Sequence, residues 1–233
     1  MTNNTGGQTA IELLGLHSPA FQLKSGTEQL KSSEHFFSRT SQRTDDIVRA
    51  SHGCSPQLLK YISETVTRAN ITLETGGGWS TCVFAACAKK HICVNPDITA
   101  NDLIRSFLQE HSVGIGELVF INDTSDMALP VLDKSCQIDF ALIDGNHSYP
   151  IPILDWHYID LHLKAGGIVL IDDTQIKSVG VLCDFLSTEE SYNKITEIGT
   201  TAVYKKIADD RVWGWSDQMI NKAKNQFLRR IFR

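Results

Sequence analysis

From Ile71 onward the chain repeats one unit: a short apolar run, then a segment whose apolar residues recur at helical spacing. Strands are predicted at Ile71–Thr75, His91–Asn95, Glu117–Asn122, Ile138–Ile143 and Gly167–Ile171. Helices are predicted between and after them, at Ser80–Lys90, Ala100–His111, near Met127–Leu132, at Ile153–Lys164 and near Val179–Leu186. Two further runs, Ile195–Gly199 and Thr201–Lys205, follow with no helix between them. Strands joined through helices return in the same direction, so the alternation demands a parallel sheet covered on both faces. The closing pair adds an antiparallel edge. The expected fold is α/β: a Rossmann-like, doubly wound sheet of seven strands, mostly parallel with an antiparallel last strand. Ligands of such sheets bind beyond the carboxyl ends of the strands. Every motif below lies at such an end.

Ahead of the sheet, Ser55-Pro56 starts a helix whose Leu58, Leu59, Ile62 and Val66 share a face through Arg68. Residues 1–54 form a polar extension, on the substrate side or packed on the domain. Residues 55–208 make the main domain, and 209–233 a basic tail. Arg211–Arg233 holds six of the 22 bases and one of the 27 acids, which leaves the first 210 residues with 16 and 26, a balance of −10. An acidic body argues against nucleic acid as a partner. The tail reads as an amphipathic helix capped by Ser216, with Ile220, Ala223, Phe227 and Ile231 on one face. It is expected to pack on its own domain or on a second copy, with an anionic membrane as the alternative. The six cysteines form no C-x-x-C pair, and the start of the chain lacks the pattern of a secretory signal. Both features suit a cytoplasmic protein.

Leu73 to Thr81 read L-E-T-G-G-G-W-S-T at the junction of a strand and a helix. Glycines allow close backbone approach and positive φ, and a helix N-terminus offers unpaired N–H groups. The dinucleotide fingerprint G-x-G-x-x-G fits Gly76 and Gly78, but its third glycine would fall on Thr81. A carboxylate at Glu74 repels a pyrophosphate and suits a cationic amine or a ribose hydroxyl. An ordinary glycine-rich turn remains the alternative.

The fourth strand runs into D-G-N-H, with Asp144 at its end and His147 three residues on. The fifth runs into Asp172 and Asp173. Neighbouring strand ends bring three carboxylates into one crevice, where their charges repel unless compensated. A divalent cation is the simplest compensation, and oxygen donors favour Mg2+, Ca2+ or Mn2+. Capping of the next helix by Asp173-Thr174 is the plainer reading.

The E-x-G-x-G-x-S run resembles the first motif of class I S-adenosylmethionine-dependent methyltransferases. The D-G-N-H and D-D-T segments resemble those of the small metal-dependent O-methyltransferases, the macrocin-type and related families. The likeness covers roughly residues 55–206. It implies S-adenosylmethionine as cofactor, a divalent cation such as Mg2+ beside it, and a small-molecule hydroxyl as acceptor. Carried over, Glu74, Gly76 and Gly78 become cofactor residues, with Ser80 contacting the cofactor carboxylate or only capping the helix. Asn95 stands where many of these enzymes place an acid for the ribose, and Asp97 follows two residues later. Asp123 and Thr124 lie where the adenine edge is bound, or form a turn and cap. Asp144, Asp172 and Asp173 become metal candidates, with Asp144 also a cofactor contact. His147 becomes the general base. Trp156 is expected to pack on the domain, and His157 and His162 to be surface or satisfied core histidines. The alternatives are a metal-independent methyltransferase acting on another nucleophile and a cofactor-binding partner without turnover. A nicotinamide-dependent oxidoreductase is disfavoured by Thr81.

Overall fold

Strand β1 (Ile71–Thr75) is buried from Thr72 onward, and the rest of the domain is arranged around it. The structure is a computed structural model that describes residues 54–209 and Ile220. The readings made on residues 1–53 and on the tail beyond Asp209 lie outside the described residues, Ile220 apart. β1 pairs in parallel with β2 (Lys90–Val94) on one side and β4 (Ile138–Ile143) on the other. With β3 (Glu117–Ile121), β5 (Leu163–Ile171), β6 (Tyr192–Ile198) and β7 (Thr201–Lys206) the order is β3-β2-β1-β4-β5-β7-β6. Only β7 runs against the others, as expected of the closing pair. The chain leaves β1 toward one edge and returns to β4 on the other side. The order therefore reverses between β1 and β4, where a crevice opens at the strand ends.

The helices are α1 (Pro56–Thr65), α2 (Trp79–Cys87), α3 (Ile98–Glu110), the single turn α4 (Ser125–Ala128), α5 (Ile151–His162) and α6 (Lys177–Leu186). One face of the sheet packs Phe140, Leu142, Leu170 and Val203 against Leu58, Ile62, Val83 and Phe84 of α1 and α2. The other packs Leu73, Ala141, Val169 and Tyr204 with Ile159 of α5 and Val179 and Leu182 of α6. Each fully buried aliphatic or aromatic side chain stabilises such a layer by about 1.5–3 kcal/mol.

Ser55 caps α1 as expected, its hydroxyl accepting the Leu58 N–H at 3.2 Å. The helix stops at Thr65, not Arg68. Asn70 Oδ1 accepts the Thr67 N–H at 2.8 Å, and this local turn competes with helical bonding. α2 ends at Cys87, because the Lys89 N–H is taken by Asn70 O at 2.9 Å as the chain enters β2. α5 ends at His162 and β5 begins at Leu163 instead of Gly167. Lys206 of β7 enforces that boundary by donating from Nζ to Asp160 O and Leu163 O, each at 2.9 Å. The turn after β3 is helical from Ser125 and continues as a 3₁₀ turn over Leu129–Val131, two residues earlier than predicted. Among the described residues no helix is long and apolar enough to cross a membrane.

Candidate active site

The turn after β1 folds tightly because Gly76 sits at φ +82°, with the Asp144 carbonyl oxygen 2.3 Å from where a Cβ would stand. A side chain there is excluded by conformation and by space alike. Gly77 packs on β2, where an added Cβ would meet Asn95 Nδ2 at 2.8 Å. Gly78 is extended at φ −178°, so of the three glycines only Gly76 takes the positive φ expected of the turn. α2 starts at Trp79 and buries Ser80 inside its first turn. Ser80 therefore does not cap the helix. That role falls to Thr81, whose hydroxyl accepts the Gly78 N–H at 3.0 Å.

Glu74 is 1 % exposed. Its Oε1 accepts the Thr81 hydroxyl and lies 3.1 Å from His91 Nε2. Sequence reasoning passed over His91 because it stands in an apolar strand run, H-I-C-V.

At the ends of β2 and β3, Asn95 Nδ2 donates to Asn101 Oδ1 at 2.8 Å. Asn101 in turn donates to Asn95 O at 3.0 Å and to Asn122 Oδ1 at 2.8 Å. Asn95 is thus held by its own surroundings, and the fully buried Asn101 is the centre that the sequence did not reveal. Asp97 is exposed and caps α3 by accepting the Ala100 N–H at 3.0 Å. Asp123 and Thr124 are exposed, with Asp123 Oδ1 accepting the Thr124 N–H at 2.8 Å.

On the other side of the glycine turn, the ends of β4 and β5 bring Asp144, His147, Asp172 and Asp173 together. His147 Nε2 lies 3.7 Å from Asp144 Oδ1 and 3.6 Å from Asp173 Oδ2. Both separations are too long for a hydrogen bond, and the buried nitrogen has no partner among the described residues. The hydroxyl of Ser178 on α6 donates to the His147 carbonyl and anchors its backbone. Burial pushes the Asp144 carboxyl up to about 7, and the Asp172 charge adds to this. The nearby His147 imidazole and the Cys54 thiol oppose it. His147 is raised above the ordinary imidazole value, first by the adjacent Asp144 carboxylate and then by the Asp173 and Asp172 charges, against its partial burial.

The adjacent acids diverge. Asp172 is buried, and its Oδ1 accepts the Thr201 hydroxyl at 2.6 Å and the Asp173 N–H at 2.9 Å. Asp173 is held in the left-handed region at φ +57° and turns toward His147. The plainer reading of Asp173-Thr174 as a cap does not hold, since α6 begins at Lys177 after Ile176. The donor atoms of Asp144, His147 and Asp173 lie within 4.8 Å of one another, and so do those of Cys54, Asp144 and Asp172. The three predicted metal carboxylates are therefore split between two groups that share Asp144. Both groups have the donor chemistry of a divalent-cation site.

Cys54 was missed because it precedes the first readable helix; its thiol donates to Asp144 Oδ2 at 3.3 Å. Asp155 was missed too. It is 1 % exposed, and burial pushes its carboxyl up to about 6, with the Ser125 and Thr75 hydroxyls pulling the other way. Its place on the buried stripe Pro152–Asp155–Ile159–His162 is the signal that could have found it. Trp156 packs against Phe185 and Tyr192, and His162 Nδ1 lies 2.9 Å from Cys136 O, so both are core residues as expected.

Residues 73–174 match a family model described as a methyltransferase domain. A comparison with curated protein sequences finds no match. Among solved structures, the fold is similar to the O-methyltransferase TomG of Streptomyces achromogenes, involved in tomaymycin synthesis and solved with S-adenosylmethionine. The identity is 16%, with 80% of this chain and 100% of that one covered and a TM-score of 0.52. An O-methyltransferase from Bacillus cereus, in complex with S-adenosylhomocysteine, gives 12% identity over 79% and 100% of the chains, with a TM-score of 0.55. The methyltransferase PaMTH1 of Podospora anserina, also bound to S-adenosylhomocysteine, gives 13% over 80% and 89%, with a TM-score of 0.57.

Proposed function

We propose that this chain is a class I S-adenosylmethionine-dependent methyltransferase that methylates a hydroxyl of a small molecule with His147 as the general base. One observation carries the reading. His147 holds a buried Nε2 free of any hydrogen bond within 3.7 Å of two carboxylates. The residue three before it in the chain, Asp144, touches the glycine turn through its carbonyl. The base therefore stands beside the cofactor turn. The solved relatives named as O-methyltransferases support oxygen as the acceptor atom.

Gly76 and Gly78 with the start of α2 would hold the cofactor, with Ser80 and Asp144 toward its amino-acid end. Asn95 and Asp97 stand on the ribose side, Asp123 and Thr124 on the adenine side. The acceptor hydroxyl gives its proton to His147 Nε2. S-adenosylmethionine, when bound, would supply the methyl group to that oxygen and leave as S-adenosylhomocysteine. Asp144 and Asp173 stabilise the imidazolium that results. A divalent cation would be held by Asp144 together with either Asp172 or Asp173, and when bound it would supply a positive charge that acidifies the acceptor. The acidic body disfavours nucleic acid as substrate. Six free cysteines, four of them buried, suit the cytoplasm. Residues 1–54 would contribute to the acceptor side.

The test pairs calorimetric titration of S-adenosylhomocysteine, with and without Mg2+, with methyl transfer to a panel of small phenols and alcohols by wild type and His147→Gln. Binding in both proteins with turnover only in the wild type is the expected outcome. Undiminished turnover in the variant would remove the base, and turnover unchanged by chelator would remove the cation.

A further inference from the structure

A buried carboxylate needs donors, and the donors of Glu74 are also what hold the glycine turn. Four contacts run in series. Thr72 Oγ1 lies 2.8 Å from His91 Nδ1, and His91 Nε2 lies 3.1 Å from Glu74 Oε1. The Thr81 hydroxyl donates to that same oxygen and accepts the Gly78 N–H at 3.0 Å. The wiring joins β2, β1 and the first turn of α2, and it ends on the backbone of the glycine turn. Thr72 Oγ1 is far closer to His91 Nδ1 than to its other acceptor, Lys90 O at 3.4 Å. A carboxylate oxygen only accepts, so Nε2 carries the proton given to Glu74, and in the neutral ring Nδ1 accepts from the Thr72 hydroxyl. The His91 ring is locked in that orientation by stacking on Phe84, with centroids 4.9 Å apart and planes at 12°. Glu74, Thr81 and His91 are each 1 % exposed or less, so none of the three side chains is open to a ligand.

We propose that His91 and Thr81 are positioning residues for the cofactor, acting through Glu74, and that Glu74 itself does not touch the cofactor. The carboxylate is the acceptor that orients the Thr81 hydroxyl so that its lone pair faces the Gly78 N–H. That bond sets where α2 begins and how the turn lies over the Asp144 carbonyl. A carboxylate that reached the cofactor would work by its charge. One that works inward needs only its acceptor oxygen and its shape.

This inference rests on the assignment of the glycine turn to S-adenosylmethionine, and two substitutions separate it from a direct contact. Glu74→Gln keeps the shape and an acceptor oxygen for Thr81 and His91 but removes the charge. Thr81→Val keeps the shape of the threonine but removes one of the two donors to Glu74 and leaves the Gly78 N–H without its partner. S-adenosylhomocysteine binding is measured by calorimetry, the KM for S-adenosylmethionine and kcat by turnover, and unfolding of the ligand-free protein alongside. The expected result is Glu74→Gln within about threefold of wild-type affinity and Thr81→Val weakened about tenfold or more, in KM more than in kcat, with Thr81→Ser restoring it. A loss of more than about thirtyfold in Glu74→Gln, or wild-type affinity in Thr81→Val, overturns the proposal. If Thr81→Val does not fold, Glu74→Gln alone decides. Failure of the wild type to bind S-adenosylhomocysteine would sink the cofactor assignment and the wiring together, whereas variants indistinguishable from a binding wild type would sink only the wiring.

Discussion

The two sides of the crevice treat their polar groups in opposite ways. On the glycine side, Glu74, Thr81 and His91 are buried and matched donor to acceptor. On the acid–base side, His147 Nε2 reaches no partner, Asp173 holds a left-handed backbone, and Asp144 is pushed up to about 7. A satisfied network rigidifies the fold. An unsatisfied one keeps free energy and proton affinity in reserve for a ligand. The contrast separates the part of the pocket that holds from the part that reacts.

That contrast can be broken most severely at His147. His147→Gln is expected to lower kcat by about 10²–10⁴-fold, the usual contribution of a positioned base, while leaving thermal unfolding nearly unchanged. A comparable loss of stability would place His147 on the holding side instead. Gly76→Ala should do the reverse. The strained φ and the collision with Asp144 O are expected to cost about 1–3 kcal/mol in urea unfolding and to abolish cofactor binding. Unchanged unfolding would show that the turn relaxes.

The pH dependence of stability sharpens the comparison at smaller scale. With the Asp144 carboxyl raised to about 7, the native state holds a proton that the unfolded chain has already released. Stability therefore falls as pH rises from the ordinary carboxylate range through about 7. The raised His147 imidazole works in the same direction, because its extra stability is present below its ordinary value and is lost as pH climbs through the raised one. Asp144→Asn cannot ionise and no longer lifts His147, so its unfolding free energy should vary less across that window. An identical slope in the variant would refute the assignment. The smallest effect is expected at Asp173→Gly. Relief of the left-handed backbone should offset the added freedom of the unfolded chain, leaving stability within about 1 kcal/mol of wild type while turnover falls. Retained turnover would remove Asp173 from the reacting side.

Most of the fold could be read along the chain, because strands buried on both faces leave continuous apolar runs. Ile138–Ile143 coincides with its predicted bounds, and the hairpin after α6 forms as expected. Helix ends were harder. Thr65 and His162 close their helices because of Asn70 and Lys206, and the second of these is 44 residues away in sequence. The candidates Glu74, Asp144, His147, Asp172 and Asp173 were legible as residues at or just past strand ends. Their division of labour was not. Ser80 looked like a cap, yet the helix starts one residue earlier and Thr81 does the work.

Taken alone, the order of residues determined which side chains reach the crevice. Apolar runs select strands, and the strand that ends at a given residue delivers it there. Only the packed structure decided where each carboxylate turns. Asp172 is claimed by Thr201 because β7 pairs antiparallel beside β5, and Asp173 is thereby left to face His147. Glu74 faces inward because β2 brings His91 beside it at hydrogen-bond distance. Pairing between strands distant in sequence sets these neighbours, and no local pattern encodes them.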